Sequence, residues 1–100
     1  MTTRMEKEAI RHFDHFRDQG YTSSDPADQI EHLLEEVGEF VGAVLKGDEL
    51  EAVMEAGDVA WLLVDILHVL GSHGSLSAGM AMSLDKLIDR HGYVPEGERS

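Results

Sequence analysis

Cysteine is absent from the 100 residues, which excludes disulfides, thiolate metal sites and cysteine nucleophiles and leaves nothing that argues for an oxidising compartment. Basic side chains are scarce as well. Eight Lys and Arg stand against 20 Asp and Glu, a formal net charge of −12. Binding to nucleic acid rests on neutralising phosphates with Lys and Arg, so this balance argues against a nucleic-acid partner. A small anionic substrate stays compatible with it only if bound metal ions reverse the charge locally. Long apolar runs are missing too: the stretch from Val59 to Leu70 is interrupted by Asp65 and His68, too short and too polar to span a bilayer. The segment Met1-Thr2-Thr3-Arg4-Met5-Glu6-Lys7-Glu8 has no apolar run of the signal-peptide kind. The expectation is a soluble, cytoplasmic protein without a membrane partner.

No strand-type alternation, internal repeat or low-complexity segment is present. What is present is helical periodicity, in one domain over residues 1–100. The pattern predicts an all-α fold, a bundle of four helices over about 4–19, 26–46, 48–71 and 75–91, with a flexible tail at 93–100. Local punctuation supports these bounds. Gly20 stops the first run; Asp25-Pro26 pairs an N-cap with a proline at the first helical position. Gly47 is a C-terminal stop, Asp48 can cap the third helix, Gly71-Ser72-His73-Gly74 breaks it, and Ser75 or Ser77 opens the fourth.

Carboxylates carry the chemistry. Glu35-Glu36-Val37-Gly38-Glu39 and Glu55-Ala56-Gly57-Asp58 each hold an acidic pair spaced i, i+3, and residues three apart are neighbours on one helix face. Glu36 with Glu39, and Glu55 with Asp58, thus make two claws. Facing each other, they would offer four carboxylates to hard divalent cations such as Mg²⁺ or Mn²⁺, with water and substrate phosphates completing the coordination. A solvated helix face gives the same spacing. The third helix speaks against that bland reading, because it is apolar almost all round from Val59 to Leu70 and a carboxylate buried there needs a partner or a metal.

Glu-Glu-x-x-Glu followed at this distance by Glu-x-x-Asp resembles the MazG family of nucleoside triphosphate pyrophosphohydrolases, the all-α pyrophosphatases. Leu33-Leu34 and Phe40-Val41 around the first claw, and Gly57-Asp58-Val59-Ala60-Trp61-Leu62-Leu63 across the second, resemble that family's helices. The likeness is close over residues 26–72 and looser in the flanks. It implies Glu36, Glu39, Glu55 and Asp58 as ligands of Mg²⁺, with Mn²⁺ a possible substitute. It also implies cleavage of nucleoside triphosphates between the α- and β-phosphates to a monophosphate and pyrophosphate, in the service of nucleotide housekeeping. Glu35, not needed for the four-ligand cage, is the candidate proton acceptor. Lys86 and Arg90 resemble the basic residues carried near that end by family members, although Ser83-Leu84 stand where an asparagine is frequent. Lys46 lies two turns beyond Glu39 on the same face, and these three cations are the candidates for phosphate binding. Their alternative is surface pairing, Lys86 and Arg90 with Asp85 and Asp89.

Other residues admit two readings. Trp61 is either core or a base-stacking surface; His12 and His15 either line the substrate pocket or lie on the surface. Asp65 is expected behind the metal ligands as a supporting partner, and His32, His68, His73 and His91 as structural or exposed. Asp65-x-x-His68 faintly resembles the Glu-x-x-His of di-iron bundles, which need the motif twice; no second copy exists. The remaining rivals are a phosphoribosyl-ATP pyrophosphatase-like enzyme and a non-enzymatic acidic helical module that binds partners. On the second helix Ile30, Leu34, Val37, Val41 and Leu45 form one apolar stripe. The first and fourth helices offer only narrow faces to cover it and the third helix, so a homodimer or homotetramer is expected.

Overall fold

The computed structural model describes residues 2–73 and 75–92, and every regular element among them is helical: α1 (Arg4–Asp18), α2 (Pro26–Lys46), α3 (Glu49–Val69) and α4 (Leu76–His91). The expected tail at 93–100 lies outside the described residues. Each boundary has a local cause. Thr3 and Glu6 form a reciprocal capping box at the start of α1, which satisfies two backbone donors that a helix start otherwise leaves orphaned. The Asp25 side chain accepts from the Ala27 N–H, Pro26 opens α2, and Gly47 ends it with φ 74°, a left-handed conformation that costs glycine nothing. Asp48 then caps α3 through the Glu51 N–H. With only Gly47 and Asp48 between them, α2 and α3 fold into an antiparallel αα-hairpin, the main packing unit of the chain.

α1 packs across α3, and one buried charge settles where. Asp65 on α3 is 2 % exposed. It accepts a hydrogen bond from the Arg17 guanidinium of α1 and a second, at 3.0 Å, from the Gln29 amide Nε2 of α2. A carboxylate taken out of water demands such partners, so three helices are pinned at one point. Arg17 also bonds Asp14 at 3.0 Å, and the His68 Nε2 lies 3.3 Å from the same Asp14 carboxylate. At the other end of α1, Glu6 is buried and accepts from the Ser77 N–H of α4 at 2.7 Å.

The α2 stripe faces outward. Toward α3 the helix turns Gln29, Leu33, Glu36, Phe40 and Ala43, all buried or half-buried, whereas Ile30, Leu34, Val37, Val41 and Leu45 stay 37–82 % exposed. Leu50, Val53 and Met54 of α3 are exposed as well. Among the described residues the fully buried hydrophobic side chains are Ala9, Ala43, Leu62 and Val64. The radius of gyration is 16.0 Å, against about 13 Å for a compact domain of this length. The chain is an open slab with an apolar flank. No helix among the described residues is long and apolar enough to cross a membrane.

The Asp65 junction predicts a stability loss. Replacing Arg17 with Met keeps the aliphatic stem but leaves a buried carboxylate short of its counter-charge, and should cost about 3 kcal/mol in denaturant unfolding. A loss below about 0.5 kcal/mol would mean that the ion pair does not hold the helices together.

Candidate metal centre

In an antiparallel hairpin, residues equidistant from the turn come level, so the Gly47–Asp48 turn sets Glu39 beside Glu55 and Glu36 beside Asp58. Ligand oxygens of Glu36, Glu39 and Glu55 lie within 4.8 Å of one another. Asp58 stands outside that trio and joins Glu36 in the wall of an adjoining cavity of about 230 Å³, completed by Phe13, His32, Trp61 and Leu62. The two i, i+3 claws therefore converge, with Asp58 displaced toward the cavity.

Such a cluster is under electrostatic load. The Glu55 carboxyl is pushed up to about 7, first by desolvation and then by its hydrogen bonds and charge repulsion with Glu39 and Glu36. Glu36 is raised too, by desolvation first and by the charge of Glu39 next. The Oε2 atoms of Glu36 and Glu55 are buried without a hydrogen-bond donor among the described residues. Donors consisting only of carboxylate oxygens, two of them buried and unpaired, suit a hard divalent cation. Glu36, Glu39 and Glu55 could hold one, with Asp58 within the reach of a second or of a bound water.

The other candidates fall at varied distances from this centre. Glu35 is exposed on α2, next in sequence to Glu36, and makes no ion pair among the described residues. Lys46, at the end of α2, and Lys86 and Arg90 on α4 are exposed, and none of the three lines the cavity beside the carboxylates. Surface pairing of Lys86 and Arg90 with Asp85 and Asp89 is not formed either. Trp61 is half-buried and borders the cavity. His12 donates from Nδ1–H to the Glu8 carbonyl oxygen of its own helix at 2.8 Å and lines an apolar hollow with Phe16 and Trp61; His15 is exposed.

Asp65 corrects an expectation. It does not stand behind the metal ligands; both its oxygens are taken by Arg17 and Gln29. The same contacts remove it from any di-iron arrangement with His68, which faces Asp14 instead. His32 was underrated. Its Nε2 lies 3.5 Å from Glu36 Oε1, a contact that the i, i+4 spacing of the two residues makes legible. Phe13 of α1 forms a wall of the same cavity.

The family model of the MazG nucleotide pyrophosphohydrolase domain matches residues 25–95, from the N-cap of α2 through α4. The chain belongs to the MazG family. Comparison with curated proteins and with solved structures finds no match. The matched span contains all four claw carboxylates and leaves α1 outside it, so in this MazG domain the helix that supplies Phe13 and Arg17 lies beyond the matched segment.

The raised Glu55 acid sets a pH dependence whose sign is fixed. Without metal, the folded chain holds on Glu55 a proton that the unfolded chain releases near its ordinary value of 4.5. The resulting stabilisation is complete below 4.5 and is lost as the pH rises through about 7. Thermal unfolding of the metal-free protein at pH 5 and pH 8 should show this loss, and Glu55→Gln should flatten it. Loading with Mg²⁺ near pH 7 should release a proton, read by calorimetry in buffers of different ionisation enthalpy. Identical apparent enthalpies in all buffers would contradict the assignment.

Proposed function

We propose that the protein hydrolyses nucleoside and deoxynucleoside triphosphates to the monophosphate and pyrophosphate, using Mg²⁺, for which Mn²⁺ can substitute, as a cytoplasmic housekeeping enzyme. The observation that carries this reading is the convergence of Glu36, Glu39 and Glu55, two of them with buried unpaired oxygens, at the mouth of a cavity. A triphosphate is repelled by a chain of net charge −12, so an acidic pocket can receive it only with cations in place. Held by Glu36, Glu39, Glu55 and Asp58, Mg²⁺ would neutralise phosphate charge and acidify a bound water.

The residues then divide the work. The water oxygen bonds to phosphorus as the α–β anhydride bond breaks, the leaving phosphate oxygen takes the electron pair, and Glu35 accepts the water's proton. Lys46, Lys86 and Arg90 bind the phosphates. Their distance from the cavity walls fits an assembly in which cations of one chain serve the site of another. The outward stripe of α2 supports the same assembly: a homodimer, or a homotetramer of two such pairs, would bury Ile30, Leu34, Val37, Val41 and Leu45 against a second copy.

Product analysis with a panel of triphosphates, phosphoribosyl-ATP included, tests the class. Monophosphate and pyrophosphate are expected; diphosphate and orthophosphate would overturn it. Alanine at Glu36, Glu39, Glu55 or Asp58 should lower kcat/KM by more than about 100-fold while the metal-free variants melt no lower than the parent, since each change relieves repulsion. Glu35→Gln should reduce kcat by about 10²-fold or more with little change in metal affinity, and an unaltered kcat would return Glu35 to the surface.

For the assembly, light scattering at low micromolar concentration should give at least twice the 11.1 kDa chain mass. Activity and helicity should fall together on dilution. A folded, active single chain would end the proposal.

A further inference from the structure

Beside the carboxylate cavity lies a second one of about 160 Å³, bordered by Phe13, Thr22, Asp28, Gln29 and Asp65. The two share Phe13, His32 and Leu62 as walls, so they adjoin, and together they reach the lower end of the size range of small-molecule sites, roughly 300–1,000 Å³. One end holds Glu36 and Asp58. The other ends on Gln29.

Gln29 is 5 % exposed. Its amide orientation is dictated by chemistry, because a carboxylate can only accept: Nε2 must face Asp65, to which it donates at 3.0 Å. Oε1 is then turned elsewhere, and it is buried with no hydrogen-bond donor among the described residues. The Thr22 hydroxyl, in the same wall, is likewise buried and unpaired. A flip of the amide would set Oε1 oxygen to oxygen against the Asp65 carboxylate, which is paired with the Arg17 guanidinium. Thus Gln29 is locked as an acceptor. Asp28, whose carboxylate already takes a hydrogen bond from the Ser23 hydroxyl at 2.9 Å, adds a second acceptor to this end of the recess.

We propose that this cavity is a nucleobase subsite that selects the bases whose amino group stands at C4 of a pyrimidine or C6 of a purine, cytosine and adenine, over their deaminated, oxo counterparts. The proposal rests on the triphosphate reading for the kind of molecule bound and goes beyond it in naming the class of base. With the phosphates toward Glu36 and Asp58, the base reaches the Gln29 end and lies against the Phe13 ring, where stacking is indifferent to base identity. Selection comes from the edge. An amino group donates to Gln29 Oε1, and the Thr22 hydroxyl can donate to the neighbouring ring nitrogen. A carbonyl in the place of the amino group meets Oε1 lone pair to lone pair. Leaving a buried acceptor unpaired is what makes such a site reject the wrong analogue.

The test compares pairs that differ only by amino against oxo: dCTP with dUTP, and ATP with ITP, with Mg²⁺, by kcat/KM. The expected preference for the amino partner is on the order of 10²-fold in at least one pair. Gln29→Met should collapse that preference to within about threefold, chiefly by loss of the amino substrate. Binding of CMP against UMP and AMP against IMP, which have no anhydride bond to break, to the wild-type protein with Mg²⁺, by calorimetry, separates this proposal from the triphosphate reading. If no triphosphate is hydrolysed but CMP or AMP binds preferentially, the base subsite stands and the hydrolase reading falls. If triphosphates are hydrolysed but both amino/oxo pairs are treated alike, the subsite is wrong and Gln29 Oε1 holds only water. Should Gln29→Met fail to fold, the wild-type comparisons decide alone.

Discussion

A carboxylate inside an apolar helix has to be answered by other helices, and Asp65 is answered by two. The Arg17 guanidinium and the Gln29 amide meet on it from α1 and α2, so the crossing of α1 over the hairpin is set by charge as much as by shape. With few hydrophobic side chains fully buried, this junction carries more of the tertiary specification than an ion pair does in a domain with a large core. It also decides which side of Phe13 and His32 faces the carboxylates, since both line the recess that begins at Asp65. The recess is a by-product of the junction.

The opposing constraint is the acid cluster whose α3 member, Glu55, lies ten residues before Asp65. Glu36, Glu39 and Glu55 are brought together by a hairpin whose turn is fixed by Gly47 and Asp48, so their repulsion is built into the packing of α2 on α3. In the metal-free chain, desolvation and then the neighbouring Glu39 and Glu36 carboxyls push Glu55 up to about 7. Cation and proton compete for the same oxygens. The two clusters differ in kind: Asp65 has its counter-charge in Arg17, whereas among the described residues no Lys or Arg pairs with the trio and only the His32 imidazole approaches it.

How much of this could be read from the residues depends on the range of the interaction. Caps are local, so Asp25-Pro26, Gly47 and Asp48 marked the helix ends correctly; the Thr3 and Glu6 box obeys the same logic, and its Thr-x-x-Glu spacing was there to be seen. The i, i+3 acid pairs were legible for the same reason, and their meeting follows from a short turn between two helices. The face that α2 turns toward α3 was not. Periodicity tells which side chains share a face but not which neighbour covers it, so it does not say that Gln29 and Glu36 face the hairpin partner while the stripe from Ile30 to Leu45, more than the narrow first and fourth helices can cover, stays open. Nor was the partner of Asp65, because Arg17 is 48 positions away and nothing local marks it. A buried acid announces that it needs a partner without saying who the partner is.

Glu6 does two jobs with one carboxyl group. One oxygen accepts from the Thr3 N–H within the α1 capping box and the other accepts from the Ser77 N–H in the first turn of α4, a helix to which Ser75 provides no side-chain cap. Burial alone would raise its pKa, yet the hydrogen bonds from Ser77 and Thr3 hold it below the ordinary carboxylate value, so the group stays charged at both helix starts, where negative charge is favoured. The first turns of α1 and α4 are thereby geared together. A rotation of α1 that moved Phe13 in the recess would drag on the start of α4, and a shift of α4, with Lys86 and Arg90 further along it, would be felt at the other end of the same carboxylate.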